Sequence, residues 1–232
     1  MEIKQFRYNA DNLAYVICSG RAAMAVDGGA VAAISAYIAD HGLVLETVIH
    51  THAHPDHTQG ARELAEATGA KRVDHRGIAD GATISLGRGR VQVLHTPGHT
   101  EDSVSFAAGN ALITGDTLFN GTIGNCFSGD LEAFYRSLKR LMAFAPQTKI
   151  YGGHDYVRES MAFARTLEPD NPRIDEYLAA RNPYCVVSTL ADELAVNPYL
   201  RFNAPAMVAL LKERGLAVDT EYQRWHSLMA LG

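Results

Sequence analysis

The chain of 232 residues is short of cysteine and has no cluster of cationic charge. Cys18, Cys126 and Cys185 are odd in number and form no C-x-x-C pair, which argues against a disulfide framework. They read as small apolar residues in a reducing compartment. No run of Lys or Arg offsets the formal net charge of −5, so general nucleic-acid binding has no support. No apolar stretch approaches the roughly 18 residues that a membrane span needs. The opening residues, MEIKQFRYNADNLAYV, lack the basic-then-apolar order of a secretory leader. The expectation is therefore a cytoplasmic protein whose partner is neither nucleic acid nor membrane. A G-x-S-x-G nucleophile elbow is missing too.

What is present is ordinary in amount and uneven in arrangement. Hydrophobic residues make up 47% and charged residues 20%, as in a soluble globular chain. The length allows one large domain, or one domain with an appendage. Over residues 13–19, 22–27, 44–51, 71–74, 90–95, 103–107, 111–114 and 149–151 the pattern predicts strands. Helical spacing falls at 30–40, 59–67 and 131–144. Asp130 is a candidate N-cap for the last of these, and Pro146 lies just past its end. After His154 strand signals give way to helical stretches near 156–167, 173–181, 204–214 and 219–229. The reading is a strand-rich α/β domain over 1–154 and a smaller helical segment over 155–232.

One segment concentrates chemistry. Thr51-His52-Ala53-His54-Pro55-Asp56-His57 follows directly on the strand at 44–51. On extended backbone His52 and His54 point to one side and can share a metal ion. Beyond Pro55, Asp56 and His57 can face a second ion. Three more candidates follow predicted strands beside glycine: His99 in TPGHT, Asp116 in ITGDT and His154 in YGGHD. Glycine lets the backbone turn sharply and aim the next side chain into a site. Each is weak alone; behind H-x-H-x-D-H they make a set. His41 reads as a helix C-terminal residue, and His50 and His95 as core or supporting residues.

These motifs resemble the metallo-β-lactamase superfamily, and within it glyoxalase II, the hydroxyacylglutathione hydrolases. Ile113-Thr-Gly-Asp-Thr-Leu-Phe119 and Gly153-His-Asp-Tyr156 are similar to that family's motifs. Phe163-Ala-Arg165, Glu168-Pro-Asp-Asn171 and Ser188 through Tyr199 resemble its helical C-terminal part. The resemblance implies a four-layer αββα sandwich with a small helical C-terminal domain. It implies two divalent ions, zinc first, with iron or manganese as alternatives. His52, His54 and His99 would hold one ion, Asp56, His57 and His154 the other, and Asp116 would bridge them. Two ions about 3.5–4 Å apart acidify a shared water and polarise a carbonyl, so a thioester could be cleaved without a protein nucleophile. Asp56 would also orient that water. The small-molecule substrate would be S-lactoylglutathione, with contacts from Asn125, Phe127, Tyr156 and Arg224. The chain departs from the family in two places: Asn125 stands where a basic residue is usual, and Ser227 where a Lys would follow Arg224. A lactonase, another thioesterase and a mononuclear-iron persulfide dioxygenase are the competing activities.

Overall fold

The computed structural model describes residues 1–231. The strands are β1 (Glu2–Tyr8), β2 (Asn12–Ser19), β3 (Ala22–Val26), β4 (Val44–Ile49), β5 (Lys71–Arg72), β6 (Thr83–Leu86), β7 (Gly89–His95), β8 (Val104–Ala108), β9 (Ala111–Gly115), β10 (Lys149–Gly152) and β11 (Ser188–Thr189). The helices are α1 (Val31–Asp40), α2 (Pro55–Thr58), α3 (Ala61–Thr68), α4 (Leu131–Met142), α5 (Val157–Leu167), α6 (Pro172–Ala180), α7 (Leu190–Val196), α8 (Pro205–Glu213) and α9 (Glu221–Met229). One sheet runs β1-β2-β3-β4-β5 and the other β11-β10-β9-β8-β7-β6.

The period of two along β2 shows how four layers arise. Leu13, Tyr15 and Ile17 face a central core shared with Val91, Val93, Phe106 and Ile113 of the second sheet. Ala14, Val16 and Cys18 face the other way, onto Ile34 and Ile38 of α1 and Leu64 of α3. On the far side of the second sheet, Leu94, Leu112 and Ile150 pack on Phe134, Leu138 and Leu141 of α4 and on Trp225 and Leu228 of α9. Three apolar layers between four structural layers make an αββα sandwich. Among the described residues no helix is long and apolar enough to cross a membrane.

The residues after 154 do not form a core of their own. Val157, Met161, Ala164, Ile174 and Val196 join the central core. Leu167, Leu190, Leu211 and Trp225 join the layer over α4.

Four elements escape the patterning. β1 mixes charged, polar and apolar side chains at the open edge of its sheet and fully buries only Tyr8. β6 and β11 are too short to show a period, and exist because β7 and β10 offer them a ladder. α7 is short as well, but Thr189 and Asp192 form a reciprocal capping box at its start.

Strand direction decides where chemistry collects. β3 and β4 are parallel, as are β9 and β10, so their C-terminal ends open on one rim. β2 is antiparallel to β3, which brings its N-terminal end to the same rim. There the sheets touch: Leu13 N–H donates to the Gly153 carbonyl at 2.8 Å, and Asn12 bridges His154.

Candidate metal centre

Each ligand candidate leaves a strand at that rim. His52 and His54 follow β4, and α2 carries Asp56 and His57 directly after them. Asp116 follows β9, His154 follows β10, and His99 lies in the loop between β7 and β8. The structure brings all of them together as two groups, His52–His54–His99–Asp116 and Asp56–His57–His154, and within each group the donor atoms lie within 4.8 Å of one another.

In the first group His54 Nδ1 is 2.9 Å from His52 Nε2 and 3.0 Å from His99 Nε2. Asp116 Oδ2 is 3.5 Å from His99 Nε2 and 4.0 Å from His52 Nε2. In the second, His57 Nε2 and His154 Nε2 are 3.2 Å apart, and Asp56 Oδ2 lies 3.6 Å and 3.4 Å from them. Asp116 reaches this group as well, 3.3 Å from His57 and 3.5 Å from His154. Four donors around an ion at zinc–nitrogen distances of about 2.0–2.1 Å would stand roughly 3.3 Å apart. The spacing fits an ion in each group and Asp116 between them. Asp116 Oδ1 is buried with no hydrogen bond of good geometry, 3.3 Å from His57 Nε2, a position in which a buried carboxylate oxygen calls for a cation.

An outer set of hydrogen bonds fixes which ring nitrogen faces inward. His57 Nδ1 meets Asp27 Oδ2 at 3.0 Å, His154 Nδ1 meets Asp11 Oδ1 at 2.9 Å, and His99 Nδ1 meets the Asn125 carbonyl at 2.9 Å. Thr51 Oγ1 donates to Asp27 at 2.8 Å, so its lone pair faces His52 Nδ1 at 3.1 Å. With Nδ1 kept as the donor in all four rings, each Nε2 is the nitrogen left to face an ion, once any proton it carries is displaced. Asn12 Nδ2 donates to Asp56 Oδ2 at 2.9 Å, and Tyr8 donates its hydroxyl proton to the Asp56 carbonyl at 2.8 Å.

Crowding explains the backbone. A Cβ on Gly153 would fall 2.1 Å from Asp116 Oδ1 and 2.8 Å from His57 Cε1. Asp27 holds a left-handed φ of 54°, which turns its fully buried carboxylate toward Thr51 and His57.

The two groups differ in charge. Burial pulls both His52 and His57 down. For His52 burial prevails, with the neighbouring His57 adding to it, and its pKa falls to about 3. For His57, Asp27 and Asp116 reverse the effect of burial and raise it to about 11. His154 is also raised: burial opposes, and Asp116 and Asp11 prevail. His99 is lowered, chiefly by burial.

Of the expected substrate contacts, Phe127 and Tyr156 border the cluster. Phe127 is 66% exposed, with its ring centroid 5.6 Å from that of His54 and 5.2 Å from that of His99. Tyr156 stacks on His154 at 5.0 Å. Asn125 touches the site through its carbonyl on His99 while its side chain is exposed. Arg224 is committed elsewhere, to Asn203 Oδ1 and the Val218 carbonyl. Ser227 is buried and donates to the Ala217 carbonyl at 2.8 Å, so this position does not offer a side chain to the surface.

Sequence reasoning missed Asp27, Asp11, Asn12 and Tyr8. Only Asp27 carries a local signal, the Asp-Gly-Gly that directly follows β3. His41 caps α1 through a contact of its Nδ1 with the Tyr37 carbonyl at 2.9 Å. His95 ends β7 with Nε2 against the Ile78 carbonyl at 2.8 Å.

A double-sheet sandwich with an H-x-H-x-D-H segment on its rim defines the metallo-β-lactamase superfamily, whose sequence model matches residues 10–80 and 73–154. Residues 155–228 match the model described as hydroxyacylglutathione hydrolase C-terminus, and the chain belongs to the hydroxyacylglutathione hydrolase family. The hydroxyacylglutathione hydrolase of Anaeromyxobacter dehalogenans is 36% identical over 97% of this chain and 96% of its own length. That of Pseudoalteromonas translucida is 30% identical over 100% and 97%. Among solved structures, ETHE1 from Myxococcus xanthus shares the fold with a TM-score of 0.71 at 24% identity, over 99% of this chain and 90% of that one.

Proposed function

We propose that this chain hydrolyses a thioester between a hydroxy acid and glutathione, S-lactoylglutathione in the first instance. The observation that carries the reading is the pair of donor groups sharing Asp116, in a chain whose family likeness extends through its helical C-terminal part. His52, His54 and His99 would hold one divalent ion, Asp56, His57 and His154 the other, with Asp116 common to both. Mixed imidazole and carboxylate donors suit zinc, iron or manganese, and zinc is our first assignment. Two such ions supply Lewis acidity to a carbonyl and acidify a water.

The chain's own residues do the rest. Asn12 turns Asp56 Oδ2 toward the Nε2 atoms of His57 and His154, where it can ligate and accept a hydrogen bond from an attacking water. Phe127 and Tyr156 form apolar walls on opposite groups of the cluster and would shield the thioester from bulk solvent. Three unpaired cysteines are consistent with work in a reducing cytoplasm.

The test is steady-state hydrolysis of S-lactoylglutathione by metal-loaded protein, with metal content measured alongside. Two ions per chain and efficient turnover support the reading. A single iron with sulfur-oxidising activity, or turnover of lactones in place of thioesters, would overturn it. For Asp56, the Asp56→Ala variant should lose both metal and turnover; normal turnover at full loading would remove its role.

A further inference from the structure

The loop over residues 119–129, which passes the cluster, holds neither Lys nor Arg, and Arg224 is tied to Asn203 and Val218. The cations beside the cluster lie on another wall. An open groove lined by Arg7, Asp11, Asp155, Tyr156, Arg158 and Arg181 runs alongside His154. It shares two residues with the immediate surroundings of the metal centre: Asp11 holds His154 Nδ1, and Tyr156 stacks on the His154 ring.

Its charges are not balanced pair by pair. Arg7 and Arg181 both donate to Oδ2 of Asp155, so two guanidiniums share one carboxylate. Arg181 Nε is buried with no partner among the described residues. Arg158 is exposed and forms no ion pair or side-chain hydrogen bond there. The same end of the groove holds the start of α5, whose N-cap Tyr156 makes no side-chain cap. Free backbone N–H groups and the helix dipole add to the attraction for an anion. Glu159, exposed and unpaired one residue on, offers a place for an ammonium.

We propose that this groove binds the charged thiol half of the substrate, with a carboxylate on Arg158 and the Arg7–Arg181 pair and an ammonium near Glu159. The inference rests on the thioesterase reading above and adds a specificity site to it. A zwitterionic peptide thiol fits these walls. A neutral thiol would gain nothing from them. Arg158 is then a specificity-determining residue, supplying the cation that Asn125 does not.

The experiment uses the metal-loaded full chain and two lactoyl thioesters, one of glutathione and one of the neutral thiol N-acetylcysteamine. The readout is the ratio of their kcat/KM values. In Arg158→Ala this ratio should fall about five- to twentyfold, the worth of one charge-assisted hydrogen bond in a half-open site. The change should lie in KM for the glutathione thioester. Arg158→Glu should lower the ratio further, Arg158→Lys should restore part of it, and added salt should shrink the wild-type preference. A wild-type ratio in both Arg158→Ala and Arg158→Glu, or a loss shared equally by the two thioesters, overturns the groove assignment and leaves the thioesterase reading standing. Failure of the wild type on both thioesters overturns the reading and the groove together.

Discussion

Asp27 touches no ion site directly, yet it governs the second donor group. It is fully buried and takes hydrogen bonds from Thr51 N–H, the Thr51 hydroxyl and His57 Nδ1. Asp27→Asn keeps the shape but removes the charge that orients His57. The expected result is a roughly 10–100-fold loss of metal affinity in a folded protein, read by metal titration against a chelator beside a circular dichroism spectrum. Asp116→Ala should cost more, because Asp116 faces both groups; loss of both ions on dialysis is the expected outcome.

Protonation separates the two groups as well. In the metal-free protein His57 stays protonated to about pH 11, while His52 is neutral above about pH 3. Imidazole binds a metal only when neutral. At neutral pH an ion entering beside His57 must therefore expel a proton, and an ion entering beside His52 need not. Affinity of the Asp56–His57–His154 group should rise with pH, and acid should empty it before the other. Proton release during metal titration in weakly buffered solution measures this; equal release for the first and second ions would contradict it.

At the scale of elements, the rim works because neighbouring strand ends are aligned. Gly153, directly after β10, is packed against Asp116 and His57. Gly153→Ala should leave the sandwich folded and reduce metal content, since the intruding methyl would push Asp116 aside; full metal loading would show that the rim can yield. The helical segment supports this rim from outside. Fully buried Glu193 of α7 accepts from Gly121 N–H at 2.8 Å, Ser188 Oγ at 2.6 Å, Tyr177 Oη at 2.7 Å and Asn197 Nδ2 at 3.0 Å. Burial raises its pKa while these donors pull the other way. Four converging donors favour the ionised carboxylate. Glu193→Ala removes the acceptor shared by these buried neutral donors and should cost about 2–5 kcal/mol, visible in a denaturant unfolding midpoint.

At the scale of the whole molecule, the helical segment is bound into the sandwich by its cores. Val157, Met161 and Ile174 sit in the central layer, and Trp225 packs on Phe134 of α4 at 5.9 Å between ring centroids. A chain truncated after His154 would expose both apolar layers. It should fail to give a sharp unfolding transition, and a cooperative melt of residues 1–154 would contradict this.

Much was legible in the residues themselves. The apolar runs of β2 and β3, the β-branched run of β4, the cap at Asp130 and a glycine beside each isolated ligand are local signals, set by side-chain type and backbone freedom. His52, His54, Asp56 and His57 lie so close in the chain that their chemistry needs no fold to be read. Their order behind the H-x-H-x-D-H segment carried His99, Asp116 and His154 into one set, although each was ambiguous alone, and the likeness to a known family divided the donors between two ions. What only the tertiary structure decided are contacts between residues far apart in sequence: Asp27 on His57, Asp11 on His154, Asn12 on Asp56, and Arg7 with Arg181 on Asp155. No period or spacing announces such pairs. They exist because parallel strand ends from two sheets meet on one rim, and that meeting depends on the packing of the whole chain.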